Sequence, residues 1–298
     1  MNIRPITSDD LPALAAFLAD DETHLFDRPS RVGVADVTAW LSGPDLSSDT
    51  WLVEEDGGLV AAGWVEKHHD TGIAIGIVHR DQRGRGLGSM LVDRSEERLR
   101  ALGVGRIHAV TLAPDVAAEP LLTARGYREV RRFWEMTIEL GADPPPEPQL
   151  PDGFRIEPFS SELAGGFHGA LEEAFADHWE YQPSSFEEWW ERQVARPDHD
   201  PSVWFLVRTE DDVAAATRND PERSGGGWIG AIGVRRAYRG RGLAKALLIH
   251  SFREFHRRGQ RRVGLGVDAE NPTGATKLYE SVGMVVDSEQ VVWEKELV

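Results

Sequence analysis

Two runs of arginine and glycine have the residue types to hold an anion: Arg83-Gly84-Arg85-Gly86-Leu87-Gly88-Ser89 and Arg239-Gly240-Arg241-Gly242-Leu243-Ala244-Lys245. Each follows an apolar run that reads as a strand, 73–78 and 228–234, and opens an apolar-periodic stretch that reads as a helix. The first amides of such a helix have no intrahelical acceptor, and glycines let a ligand come close to them. The pattern therefore predicts an anion site, above all for a phosphate. Gly86 and Gly242 lie 156 positions apart, which makes the chain two copies of one domain.

Other landmarks repeat in the same order. Ile3-Arg4-Pro5-Ile6 matches Ile156-Glu157-Pro158-Phe159, Gly126-Tyr127 matches Gly283-Met284, and the closing strands expected at 133–140 and 291–297 each contain a Trp-Glu pair. Between the copies, Ala142-Asp143-Pro144-Pro145-Pro146-Glu147-Pro148 can form neither helix nor central strand. The expected division is a domain at 1–141, a proline-rich linker at 142–152 and a second domain at 153–298. Each half reads as a strand, one or two helices, a hairpin, a further strand, the glycine loop with its helix, a strand, a helix and a last strand. Asp56-Gly57-Gly58 supplies a good hairpin turn in the first half. The fold class is α/β, with a central mixed sheet of α+β character flanked by helices in each domain.

The composition fits 298 residues of two-domain globular protein, 41% hydrophobic and 28% charged. No apolar run approaches the roughly 20 residues that span a bilayer, and the N-terminus lacks a signal-peptide pattern, so a cytoplasmic protein with no membrane partner is expected. With no cysteine there is no thiolate nucleophile and no cysteine metal site, and no metal is expected. A net charge of −17 argues against a nucleic-acid partner. The expected state is a monomer or homodimer.

A dinucleotide fold would place its glycines after the first strand, whereas these follow about four, and neither copy has the third glycine of that fingerprint. A nucleotide P-loop needs Gly-Lys-Ser/Thr, which neither copy has. The order of elements and the form Arg-x-x-Gly-x-Gly/Ala resemble the GNAT superfamily of acetyl-CoA-dependent N-acetyltransferases, through Arg83, Gly86 and Gly88 in one half and Arg239, Gly242 and Ala244 in the other. The resemblance covers nearly the whole chain as two tandem GNAT-like domains. It implies acetyl-CoA as cosubstrate, its pyrophosphate on 239–245 and its pantetheine arm along Ile232, Gly233 and Val234. Gly76, Ile77 and Val78 with 83–89 would serve the same way in the first half.

The second half also contains Asn271-Pro272-Thr273-Gly274-Ala275-Thr276-Lys277-Leu278-Tyr279-Glu280-Ser281-Val282-Gly283-Met284, similar to the Asn-x-x-Ala-x-x-Leu-Tyr-x-x-x-Gly-Phe segment of that family. The resemblance implies that Asn271 contacts the cosubstrate and that Tyr279 protonates the departing thiolate. A phenol of pKa near 10 suits a thiol of pKa near 8.5. Aligned on Gly126, the first half has Leu122 at the place of Tyr279 and Pro114 at that of Asn271; a one-residue shift gives Thr123 and Asp115. Neither register supplies a tyrosine, so the first domain reads as degenerate and the second as catalytic.

The general base is not legible. Trp228 stands where the tandem mycothiol synthases of the superfamily carry a glutamate; Asp268, Glu270, His178 and Glu180 remain as candidates. The acceptor site is expected within 167–190, with His178, Trp179 and Glu180 as substrate-binding candidates and Phe175, Tyr181, Phe186, Trp189 and Trp190 as ring walls; the alternative is that these rings cover the sheet. The expected activity is acyl transfer from acetyl-CoA to a primary amine of a small molecule or peptide, by direct attack. Its rivals are a mycothiol synthase acting on a cysteinyl pseudodisaccharide and an acetyl-CoA-binding regulatory module without turnover.

Overall fold

The computed structural model describes residues 1–195 and 200–297. Its first repeat supplies β1 (Asn2–Arg4), α1 (Leu11–Phe26), α2 (Val34–Trp40), β2 (Thr50–Glu55), β3 (Gly58–His68), β4 (Thr71–Val78), α3 (Leu87–Ala101), β5 (Arg106–Leu112), α4 (Ala118–Ala124) and β6 (Arg128–Glu139). Its second supplies β7 (Arg155–Pro158), α5 (Ala164–Phe175), α6 (Phe186–Gln193), β8 (Phe205–Arg208), β9 (Val213–Arg223), β10 (Gly226–Val234), α7 (Leu243–Arg257), β11 (Arg262–Asp268), α8 (Ala275–Ser281) and β12 (Val285–Glu296). The mixed sheet and flanking helices are those the sequence implied. The β2–β3 turn is made by Asp56 and Gly57 at φ 51° and 80°, the left-handed pair that a tight hairpin requires.

The chain forms two compact units, and they are not its two contiguous halves. The first takes Met1–Trp134, Asp268–Glu270 and the segment that starts at Ser288; the second takes Glu135–Val267 and Asn271–Asp287. Each repeat thus gives the end of its last strand to the other unit. In the first unit the sheet runs β1-β2-β3-β4-β5 and closes on the end of β12, antiparallel to β5 from Gln290↔Leu112 to Glu296↔Arg106. In the second it runs β7-β8-β9-β10-β11 and closes on the end of β6. The two closing strands share one apolar alternation and one Trp-Glu pair, so nothing in their pattern says which sheet each joins.

Polar partners fix the choice. In the first unit Glu294 accepts from Arg128 at 2.7 Å and lies 3.2 Å from Nε2 of buried His108, while Lys295 pairs with Glu96 at 2.7 Å. In the second, Arg262 reaches Glu135 at 3.3 Å and the Leu140 amide donates to the Arg261 carbonyl. Helices α3 and α7 bury matching residues on their sheets, Leu87, Leu91 and Leu99 against Leu243, Leu247 and Phe255. Each such side chain contributes about 1.5–3 kcal/mol on leaving water.

Candidate active site

In both units two parallel strands part just before the glycine loop. β4 pairs with β5 from Thr71↔Arg106 to Ala74↔Ala109 and β10 with β11 from Gly227↔Val263 to Ile229↔Leu265. Among the described residues β4 and β10 continue beyond these pairs without a partner on that side, which leaves edge amides and carbonyls for a ligand. In the first unit the opening is a cleft of about 420 Å³ lined by Gly76, Val78, Arg83, Gly86, Gly88, Ser89 and Tyr127 among others.

The glycines that start α3 and α7 form open cradles. Gly84, Gly86, Gly240 and Gly242 have φ from 76° to 85°, and a Cβ on any of them would meet no protein atom within 4 Å. Their left-handed backbone exposes the first helical amides to the outside, which fits a pyrophosphate. The motif arginines brace this geometry. Arg83 Nε donates to the Val78 carbonyl at 3.3 Å and Arg239 Nε to the Val234 carbonyl at 3.2 Å. Arg85 is paired with Glu55 at 2.6 Å, and Arg241 lies 5.9 Å from the rings of Phe154 and Tyr238. Leu87 and Leu243 are buried in the cores, so only their backbone is available to a ligand. The loops supply amides more than free guanidinium groups.

Asn271 and Asp115 occupy equivalent turns. Asn271 Oδ1 accepts from the Thr273 amide at 2.9 Å, and Asp115 Oδ1 from the Ala117 amide at 3.2 Å. Downstream, the Met284 amide donates to the Tyr279 carbonyl and the Tyr127 amide to the Leu122 carbonyl. The second copy therefore has one extra residue between turn and helix end, so each of the two sequence registers is right for one landmark. Leu122 replaces Tyr279, and an aspartate replaces Asn271. That aspartate pairs with Arg83 at 2.9 Å beside the cleft, where Asp21 also lies 3.4 Å from Arg83.

Tyr279 is 7% exposed, and burial pushes its phenol up to about 12. It stays protonated over the working range of most enzymes. Asp268 and Glu270 are not free to act as bases: both are held by Arg131, at 2.7 and 2.9 Å. His178 lies against Phe175, with ring centres 4.4 Å apart, and Glu180 has φ 52° in the turn after α5. Among the expected ring walls, Trp189 belongs to the core, packed with Phe167 and Trp204; Phe167 and Trp204 stack at 5.4 Å.

One feature of β10 has no counterpart in β4. Gly72 and Gly76 both face α3, where a Cβ would meet Leu99 and Leu91, so β4 keeps strict alternation. On β10, Gly227 faces Phe255 of α7 whereas Gly233 faces Ala174 of α5, although regular alternation would put both on one side. The break is a bulge, a register shift between Ile229 and Ala231 that leaves Gly230 extra. A bulge leaves its residue unpaired, and here it sits where β11 has just parted. A Cβ on Gly230 would lie 3.3 Å from Asp220 Oδ2 and from Arg218 Nη2. Both the bulge and Asp220 escaped the sequence reading. The signal was present in the glycines at 225–227, 230 and 233.

The acetyltransferase (GNAT) family profile matches residues 14–127 and 167–284. The chain belongs to the GNAT family. A mycothiol acetyltransferase of Catenulispora acidiphila is 31% identical over 73% of this chain and 70% of its own length, and one from Thermobispora bispora is 32% identical over 70% of each. The crystal structure of a GCN5-related N-acetyltransferase from Sphaerobacter thermophilus is 34% identical, with a TM-score of 0.87 over 99% of this chain and 95% of that one. A tandem GNAT protein from the clavulanic acid pathway shares the fold, with a TM-score of 0.76 at 17% identity over 100% of this chain and 98% of that one. This GNAT protein is an acetyl-CoA-dependent acetyltransferase of tandem architecture. Among the described residues no helix is long and apolar enough to cross a membrane.

Proposed function

We propose that the second repeat transfers the acetyl group of acetyl-CoA to a primary amine of a small molecule or peptide by direct attack, and that the first repeat is a degenerate, noncatalytic copy. The observation that carries this reading is the bulge at Gly230, which leaves one residue of β10 unpaired with β9 just where β10 and β11 part, beside an open glycine cradle. β4 has no such break.

Acetyl-CoA supplies an activated thioester carbonyl. The amides that open α7 hold the pyrophosphate, with 239–245 as the loop. The edge of β10 from the bulge to Ile232, Gly233 and Val234 lines the pantetheine arm and offers amides to the oxygen that gains charge in the transition state. Tyr279, kept protonated by burial, gives its proton to the leaving sulfur. No cysteine exists to carry an acyl group, which favours direct attack. In the first repeat Leu122 has no proton to give, and Asp115 takes the place of Asn271 and pairs with Arg83.

A second reading is that the acceptor is the amine of a cysteinyl pseudodisaccharide, favoured by the mycothiol acetyltransferases at 31–32% identity. An amine panel containing that acceptor, small polyamines, amino sugars and peptides, read by product mass, separates the two. Turnover confined to the cysteinyl acceptor selects the second reading, and no acetylated amine overturns both.

A further inference from the structure

We infer that Asp220 is the general base of the second repeat, a role that rests on the acetyl-transfer reading above. Trp228 on β10 has no proton chemistry to offer: its ring covers Gly264, and the Arg223 guanidinium lies 4.5 Å from the ring centre. The register of the hairpin puts Asp220 directly opposite, as Trp228↔Asp220. The carboxylate that the site needs is supplied from the neighbouring strand.

Three observations converge on it. Its face is the right one: Gly227 meets α7 under the cradle helix, so Trp228 and its cross-strand partner Asp220 point to the opposite face. Its height is right, because Asp220 Oδ2 lies 3.3 Å from the Cβ position of Gly230, the extra residue of the bulge where β10 and β11 part. A side chain at 230 would occupy the space beside the carboxylate, and glycine keeps it open. Finally, Asp220 is partly exposed, and among the described residues it makes no hydrogen bond or ion pair. Asp268 and Glu270 are held by Arg131, and Glu180 stands in the turn after α5. Arg218, whose Nη2 lies 3.3 Å from the Cβ position of Gly230, donates to Gln193 of α6, and the Arg223 guanidinium lies over the Trp228 ring.

Asp220 takes one proton from the acceptor ammonium, and the freed nitrogen lone pair forms a bond to the thioester carbon while the carbonyl π electrons move to oxygen. As the C=O bond re-forms, the C–S bond breaks and the thiolate takes the Tyr279 proton. The nitrogen then loses a second proton, which restores Tyr279 through water, and Asp220 returns its proton to solvent. The products are the amide, free coenzyme A thiol and one proton.

The test compares the parent protein with Asp220→Asn and Asp220→Glu, using a primary amine that the parent acetylates and acetyl-CoA affinity from calorimetry. The Asn variant is expected to bind acetyl-CoA as the parent does but to lose roughly 10²–10⁴-fold in kcat/KM near neutral pH. The deficit should shrink as pH rises toward the amine pKa near 10.4, because free amine then arrives without help. The Glu variant should recover most of the rate. Full activity of Asp220→Asn at every pH overturns the assignment, as does a loss that is equal at every pH and accompanied by lost acetyl-CoA binding. Turnover by the parent tests the acetyl-transfer reading separately; if it acetylates no amine, both inferences fall.

Discussion

Replacing Gly242 and Gly86 by alanine, one at a time, makes a matched pair in which the protein term cancels. Both residues have left-handed φ, 79° and 85°, and a Cβ on either meets nothing of the protein within 4 Å. An L-residue in that conformation costs about 1–2 kcal/mol, and the lower chain entropy of unfolded alanine returns roughly 0.4–1 kcal/mol. The net loss should be about 1 kcal/mol for each variant, a fall in Tm of about 2–4 °C for units of this size. The methyl group enters the space left for the pyrophosphate, so Gly242→Ala should also lose at least one hydrogen bond to a charged group, about 1.5–3 kcal/mol. That corresponds to roughly 10–150-fold weaker acetyl-CoA binding at the second unit. Calorimetry, thermal melts and initial rates read the three quantities. Equal Tm losses, with turnover reduced only by Gly242→Ala, are expected. Equal losses of turnover from both would refute the division of labour between the repeats, and a much larger Tm loss would show that the cradle is packed rather than open.

Tyr279→Phe removes the hydroxyl and keeps the buried ring, so kcat should fall by at least about tenfold at unchanged acetyl-CoA affinity. Unchanged kcat in a variant whose chemical step limits the rate would make Tyr279 a packing residue. Because burial pushes its phenol up to about 12, Tyr279 should contribute no limb to the pH–rate profile below about pH 10. The closing strand of the first unit should be acid-sensitive. Burial would raise the Glu294 carboxyl, but hydrogen bonds from Arg128 and His108 outweigh it and hold the folded value below the usual range. Its contribution is therefore present above the unfolded value of about 4.3 and lost as pH falls through the lower folded value. Glu294→Gln should remove about 1.5–3 kcal/mol near neutral pH and flatten that acid limb in denaturant titrations. An unchanged acid limb would place its origin elsewhere.

Much of this fold is legible in the sequence because local chemistry dictates it: Asp56-Gly57 makes a hairpin, Gly86 and Gly242 start helices, and the apolar period of 87–102 returns in 243–255. The strand exchange is not legible, since 133–140 and 291–297 have interchangeable patterns and their partners, His108 with Glu294 and Arg262 with Glu135, are distant in sequence. The same limit applies to the site. The cradle is a local motif and could be read directly. The glycines at 225–227, 230 and 233 hint at the bulge, but Asp220 gains its place from cross-strand register, which is not a property of any short stretch of sequence. Of the base candidates read from the sequence, Asp268 and Glu270 lie at the end of β11, where Arg131 holds both, and His178 and Glu180 lie in the turn after α5.

The central claim is that the second repeat joins the acetyl group of acetyl-CoA to an amine. Its most direct test is the product mass from an amine panel incubated with isotopically labelled acetyl-CoA, using the parent protein and Gly242→Ala side by side. One labelled acetyl group on a primary amine, formed by the parent and strongly reduced in the variant, is the expected result. Thiol release without any labelled amine, or equal labelling by both proteins, would contradict it.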